Sequence, residues 1–363
     1  MERWRVVYAT IGASPGRGAY GRARQAEDVL ATSRARILEF LGLQASHSLV
    51  FTRSATEALN LAAFGLEALV CPGDVVVCTG LDHHSALLPL KRLARRRGGA
   101  LLEVPALADG DLKLDTLDAL GDRPIRLAVV PAVSNVNGNR PDLAGLVAMV
   151  ARRGGWVVVD ATQSVGHGPT DPALAMADLI AFSAHKMYGP KGVGALAVKN
   201  DLLDRLEPLL LGGGMVRSVL ADGESWLDGP ARLEAGTQDP ALAAAFAAAC
   251  DFLAAIGPEA IERHERTLNG YARTALAAIP GIRLIPSGTH HSAAILSFQG
   301  VMHGHDLSEG LSDDGICIRT GHLCAQTAVA AFGTTSVNRV SFGVYSTEDD
   351  VERLAAALRR MEQ

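Results

Sequence analysis

The sequence lacks any apolar run approaching the roughly 20 residues needed to cross a bilayer. Its most alanine-rich stretch, Ala241–Cys250, is short and closed off by Pro240 and Asp251. The N-terminus, MERWRVVYATIGASPGRG, has charges and glycines where a secretory signal requires an apolar stretch, so no targeting segment is expected. A basic excess is also missing. The formal net charge is -5, which argues against general nucleic-acid binding, because neutralising phosphates takes a basic face. The Arg-rich run Lys91–Arg97 is a local exception and reads as the solvated end of a helix. The five cysteines, at 71, 78, 250, 317 and 324, are scattered and odd in number. That is no disulfide framework, and it points to a reducing cytoplasm. Cys317, His322 and Cys324 lie close in sequence but lack the second ligand pair of a zinc site, so no metal is expected. Neither an internal repeat nor a low-complexity linker is visible.

What is present is an ordinary globular balance, 48% hydrophobic and 20% charged, over 363 residues. That length suits one large domain and a smaller one. Through the first two-thirds, short β-rich runs alternate with helical patterns. The expected strands are Leu49–Thr52, Val75–Thr79, Ala100–Val104, Leu127–Val130, Trp156–Asp160, Leu179–Ser183 and Ala195–Lys199. They are apolar on both faces, as buried parallel strands are. Helical stretches at Thr56–Val70, Ala86–Arg97 and Leu143–Arg153 lie between them. The alternation predicts an α/β sandwich with a mostly parallel sheet. Beyond residue 245 an alanine-rich helical stretch leads to short strands at Ile282–Ile285, Ala293–Phe298, Ile316–Arg319 and Arg339–Phe342. With helices at His305–Asp313 and Thr347–Met361, this part reads as a compact α+β unit.

In an open α/β sheet the ligand sits beyond the carboxyl ends of the strands. The polar residues that follow the expected strands converge on one kind of chemistry. Arg53-Ser54-Ala55-Thr56-Glu57 starts a helix whose N-terminus favours an anion. Asp160 ends a strand and is followed by Thr162 and Gln163. A carboxylate there can keep a pyridine nitrogen protonated, so that the ring stores electrons. Lys186 is one of only five lysines and lies at a strand end between His185 and a Gly-Pro turn. Desolvation lowers the pKa of such an amine and suits it to a Schiff base. Ser183 and His185 can donate to a phosphate. His83, in Asp82-His83-His84, can stack on an aromatic ring and shuttle a proton. Asn135 can fix a ring oxygen. Further on, Cys324 lies in a Gly-containing loop near cationic groups, which favours a thiolate nucleophile. Arg339 offers a planar guanidinium to a substrate carboxylate. Taken singly, each has a plainer reading: a capping box at 53–57, a capping aspartate, a surface lysine, a polar loop at 82–84, turn residues at 133–138. Cys71, Cys78, Cys250 and Cys317 read as core filler, and His290, His291, His303 and His305 as surface or loop residues.

Seven segments in order carry a family resemblance: FTRSATEALNLA (51–62), DHHSALLPL (82–90), VSNVNG (133–138), VVDATQSVGH (158–167), FSAHKMYGPKGVG (182–194), RLEAGT (232–237) and RTGHLCA (319–325). The chain resembles the class V aminotransferase family from about Ser14 onward, and within it the Suf-type, group II cysteine desulfurases and selenocysteine lyases. The resemblance implies the type I fold of pyridoxal-phosphate (PLP) enzymes: a mostly parallel seven-stranded sheet in a large domain and a small α+β C-terminal domain. The implied division is 14–245 for the cofactor domain and 246–363, with 1–13, for the domain carrying the cysteine loop. Lys186 would form the imine with PLP, Asp160 pair with the pyridine nitrogen and Gln163 bind the ring hydroxyl oxygen. His83 would stack on the ring, with Asn135 supporting it. Ala55, Thr56, Ser183 and His185 would hold the phosphate. Thr237 would reach the phosphate of a neighbouring subunit, which makes a homodimer the functional unit, and the segment Gly212–Trp226 resembles the hairpin that shapes the neighbour's active-site mouth. Arg339, with Arg319 and Asn135, would bind the substrate carboxylate.

The implied reaction converts L-cysteine to L-alanine. Lys186 takes the α-proton, Cys324 accepts sulfur as a persulfide, and His83 acts as the acid. A sulfur-acceptor protein would be the partner. Another PLP reaction on the same scaffold, by a C–S lyase, selenocysteine lyase or epimerase, is the alternative, and an inactive homologue acting as an interaction protein is a third reading. Cys324 separates the first two, since a plain lyase or epimerase can do without it. Three departures from the family pattern stand out. Only Val6–Thr10 precedes Ser14-Pro15-Gly16-Arg17-Gly18, where a Tyr-Leu-Asp-Asn-Ala-Ala-Thr-like strand and loop is usual and normally lines the substrate pocket. Gly236-Thr237-Gln238-Asp239 replaces the usual Gly-Thr-Pro-Asn at the subunit junction, and His322-Leu323-Cys324 has leucine where a second histidine is typical.

Overall fold

The computed structural model describes residues 2–361 apart from 17, 122, 292, 293 and 301. Residue 17 of the N-terminal glycine-containing segment and residue 293 of an expected strand therefore lie outside it. The chain opens with helices α1 (Glu2–Thr10) and α2 (Gly21–Phe40). Val6–Thr10 is thus helical, and it lies on a later helix rather than continuing a sheet.

The large sheet holds β1 (His47–Thr52), β2 (Val75–Thr79), β3 (Ala100–Val104), β4 (Ile125–Pro131), β5 (Trp156–Asp160), β6 (Leu179–Ser183) and β7 (Gly194–Lys199). Their spatial order is β1-β7-β6-β5-β4-β2-β3. Strands β2 to β6 run parallel to their neighbours, and β7 alone is antiparallel, inserted between β1 and β6. The reason is length. Only the ten residues 184–193 separate β6 from β7, and a parallel return takes a crossover of a dozen or more.

Helices α3 (Ala55–Gly65) and α4 (His84–Arg97) cover one face of the sheet. The opposite face carries α2, α5 (Leu143–Arg152) and α6 (Pro240–Ile256). Leu59, Leu87 and Leu90 fill the first core, and Ile37, Leu146 and Phe246 the second. Each such side chain, fully buried, contributes roughly 1.5–3 kcal/mol. Sheets covered on both faces need no polar alternation, which is why these strands read as continuous apolar runs.

Helix α6 spans the boundary expected at 245/246, with its inner face in the large-sheet core. Asp239 caps it by accepting from the backbone of Ala241 at 2.8 Å, and Tyr8 of α1 donates to the other Asp239 oxygen at 2.9 Å. Between β7 and α6 a hairpin of β8 (Val216–Leu220) and β9 (Gly223–Trp226) projects outward, with Val219 and Leu220 exposed.

Helix α7 (Pro258–Ala277) then leads to a second, fully antiparallel sheet. It contains β10 (Arg283–Leu284), β11 (Ile295–Gln299), β12 (Arg319–Gly321) and β13 (Val337–Ser341), in the order β10-β11-β13-β12. Helices α7, α8 (Gly304–Asp313) and α10 (Glu348–Met361) pack on it, and the short α9 (Gln326–Ala331) follows β12. The strand expected at Ile316–Arg319 begins only at Arg319. Ile316 instead closes the end of α8, its N–H bonded to Leu311 at 2.9 Å, and Ile316 and Ile318 pack against the core from outside the sheet. No single helix among the described residues is long and apolar enough to cross a membrane.

Candidate active site

The carboxyl ends of β1, β2, β4, β5 and β6 open on a cavity of about 670 Å³, closed from above by the β12–α9 loop. Gly194 brings the first two rims together. It pairs with Thr52 on one side and Ser183 on the other, and a Cβ there would lie 2.7 Å from the Ser54 backbone and 2.8 Å from the Phe182 carbonyl. Without a side chain in the way, the Ala55 N–H donates to Ser183 Oγ at 2.7 Å. The Ser183 hydroxyl proton stays available to a ligand, beside the N-terminus of α3. Thr56 and His185 line the same corner, and Thr56 Oγ1 lies 2.9 Å from Ser85 Oγ. Burial, with the cations Lys186 and Lys191, lowers the His185 pKa.

Asp160 is buried at the end of β5 and accepts the Thr162 N–H at 3.0 Å. Gln163 lies beside it on the cavity wall. Lys186, half-buried after β6, faces the same space. Burial, then Arg339 and Arg319, lowers its pKa, and Asp160 opposes the shift. His83 is the N-cap of α4, with Nδ1 accepting the Ser85 N–H at 3.1 Å. That bond places the proton of the neutral ring on Nε2. Burial lowers the pKa of His83, against the pull of Asp160.

The C-terminal unit supplies the remaining wall. Arg319 and Arg339 are directly opposed on β12 and β13, and both line the cavity. Two guanidiniums side by side call for an anion. Arg339 donates to the Asn135 carbonyl at 2.8 Å, while its buried Nε finds no partner among the described residues. Burial, then Arg319, brings its pKa down to about 10. The Asn135 amide nitrogen is committed to the Leu323 carbonyl at 2.7 Å, so what it can offer a ligand is its buried, unpartnered Oδ1. Cys324 is exposed at the cavity mouth. It and Leu323 both have left-handed backbones, φ 56° and 52°, within a tight turn closed by Ala325 N–H to His322 C=O at 2.9 Å. For non-glycine residues that conformation costs roughly 1–2 kcal/mol each, and it persists only where the surroundings fix it.

Twelve of the thirteen residues expected at the site thus meet around one cavity: Ala55, Thr56, His83, Asn135, Asp160, Gln163, Ser183, His185, Lys186, Arg319, Cys324 and Arg339. Thr237 does not. It is exposed and lies with Gln238 and Asp239 at two other clefts. Several lining residues had no role in the sequence reading. His84 and Ser85 follow His83 in the first turn of α4, a proximity that alone could have flagged them. His305, expected as a surface or loop residue, is exposed as expected and also reaches the mouth from the start of α8, which no local pattern foretells. Asp82 is completely buried, its carboxyl held by Thr79 N–H at 2.8 Å and Thr79 Oγ1 at 2.9 Å. Burial drives its pKa up to about 8. Cys78 and Cys250 are core thiols, whereas Cys71 and Cys317 are exposed and fill no core.

The aminotransferase class-V family model matches residues 1–354. The chain belongs to that family of PLP-dependent enzymes, and it falls among the family's cysteine desulfurases. It is 37% identical to a cysteine desulfurase of Dickeya dadantii, covering 99% of this chain and 88% of that protein. A probable cysteine desulfurase of Mycobacterium leprae is 38% identical, with 99% and 87% covered. Among solved structures, the apo cysteine desulfurase of Thermococcus onnurineus superposes with a TM-score of 0.92 at 30% identity, covering 99% of this chain and 90% of that one. Cysteine desulfurase CsdA of Escherichia coli gives 0.89 at 32%, with the same coverage.

Proposed function

We propose that this chain holds pyridoxal 5′-phosphate on Lys186 and uses Cys324 to take sulfur from L-cysteine, leaving L-alanine and a Cys324 persulfide. One observation carries the reading: the Lys186 amine, the Asp160 carboxylate and the Cys324 thiol line a single cavity. The residues fit the cofactor. Thr162 Oγ1, Asn135 Oδ1 and Arg339 Nε are buried around that space without partners among the described residues, and buried polar atoms ordinarily have partners. Ala55, Thr56, Ser183 and His185 would hold the phosphate, Asp160 the pyridine nitrogen, Gln163 the ring hydroxyl oxygen and His83 the ring face. Bound there, the cofactor supplies an electron sink.

The chain's own groups do the rest. Arg339, with Arg319 and Asn135, orients the substrate carboxylate. Lys186, with its pKa lowered, has more of its amine neutral and can take the α-proton. The Cys324 thiolate attacks the substrate sulfur. An S–S bond forms, the Cβ–S bond breaks, and its electron pair stays with the carbon skeleton. The thiol's proton ends on Cβ, delivered through His83, and the α-proton returns to Cα. Cysteine plus thiol therefore balances alanine plus persulfide.

The division into a cofactor unit (14–245) and a cysteine-loop unit (246–363, with 1–13) belongs to the same reading. So does a homodimer. Thr237 is exposed and away from its own cavity, as a residue serving a neighbour's phosphate would be, and Leu210, Leu211, Val219 and Leu220 are apolar side chains left uncovered nearby in sequence. The exposed Cys324 suits hand-over to a sulfur-acceptor protein, and five free cysteines suit a reducing cytoplasm. Purified protein mixed with cysteine should yield alanine and protein-bound sulfane sulfur, and Cys324→Ala should yield neither at the wild-type rate. Equal turnover by Cys324→Ala would favour a C–S lyase or related reaction instead, and no alanine from the wild type would remove the desulfurase reading.

A further inference from the structure

His84 has no assigned role, yet it makes two contacts across the junction between the large sheet and the cysteine loop. Its backbone N–H donates to the Cys324 carbonyl at 2.7 Å. Its Nε2 accepts the backbone N–H of Gln326 at 3.3 Å. Gln326 is the first residue of α9, whose early N–H groups have no partner within the helix. The N-cap position of α9 is Ala325, which has no side-chain acceptor, so the imidazole of His84 does from the other unit what a capping Ser or Asp ordinarily does locally.

We infer that His84 is a positioning residue that caps α9 from across the junction and so fixes the Cys324 turn over the cavity. Three bonds then hold a turn whose backbone is unfavourable on its own: the two from His84, and Asn135 Nδ2 to Leu323 O. The arrangement sets a distance. One peptide unit joins His83, which faces the cavity, to the N–H that grips Cys324, so the proton donor and the thiol are registered to each other by a main-chain link. Accepting at Nε2 requires the His84 proton on Nδ1, the opposite tautomer to that of His83.

The inference rests on the proposed reaction for its consequence, but its first test does not. Amide hydrogen exchange in the PLP-loaded protein, followed on peptides that resolve Gln326, should be roughly five-fold faster in His84→Ala. His84→Gln, whose carbonyl oxygen can stand in for Nε2, should restore protection. With cysteine as substrate in D2O, persulfide formation on Cys324 should fall roughly tenfold further in His84→Ala than exchange of the α-proton. Unchanged exchange at Gln326 in His84→Ala, or no rescue by glutamine, would overturn the inference. A wild type that forms no persulfide would sink the reaction and leave the exchange result standing.

Discussion

The rim of the large sheet and the cysteine turn hold their reactive groups by different means. Lys186 and Asp160 sit where buried strands end, and their directions follow from strand register and from a glycine that lets two rims touch. The thiol sits on a left-handed turn that hydrogen bonds from another unit keep in place. The first arrangement is rigid because a core lies beneath it. The second is fixed only while its partners hold it. The proposed chemistry, with one fixed centre and one that would hand its product away, would be well served by that division.

The largest effect should come from the rim. Lys186→Ala should lower turnover by about 10³-fold or more, and the purified variant should lose the yellow absorbance that the proposed PLP imine on Lys186 would give the wild type. A yellow variant with an unaltered spectrum would break the comparison at its firmer side. At the turn, Leu323→Val puts a β-branched residue into a left-handed position that leucine already holds at a cost, adding further strain. Persulfide formation should drop about tenfold, while PLP absorbance stays as in the wild type. If both fell together, the two regions would not be separable.

The last effect is on pH-dependent stability and leaves turnover aside. The folded-state pKa of Asp82, about 8, lies above the ordinary carboxyl value of 3.8. Between those values the unfolded chain gives up the proton first, so stability declines as pH rises. Asp82→Asn should flatten that decline in urea-unfolding midpoints measured at pH 5 and pH 8, and an equally steep fall would discount the buried carboxyl.

The difference between the regions also governs what could be read from the sequence. Val75–Thr79, Trp156–Asp160 and Leu179–Ser183 coincide with their strands, because doubly covered strands announce themselves as apolar runs, and Ala100–Val104 coincides with the edge strand β3 although only Val104 is buried there. The residues that follow them, from Asp160 to Lys186, fall around the cavity for the same reason. The antiparallel direction of β7 followed from a short connection that the alternating pattern did not weigh. Ile316–Ile318 imitated a strand because a helix exit packed on a core also alternates. Most opaque were contacts between distant segments. That Asn135 spends its amide on Leu323, and that His305 reaches the mouth, depends on how the two units dock, which no local pattern encodes.

Gly194 has a practical consequence for anyone reshaping this pocket. Variation at Gln326 would alter the wall while leaving the frame intact, since it lies at a helix start facing the opening and its bond to His84 uses only its backbone. A single methyl group at 194 would press at once on the main chain of Ser54, the N-cap of α3, and of Phe182 in β6, prising apart the anion corner before any substrate arrives. Randomised libraries for altered substrate scope should hold that position constant.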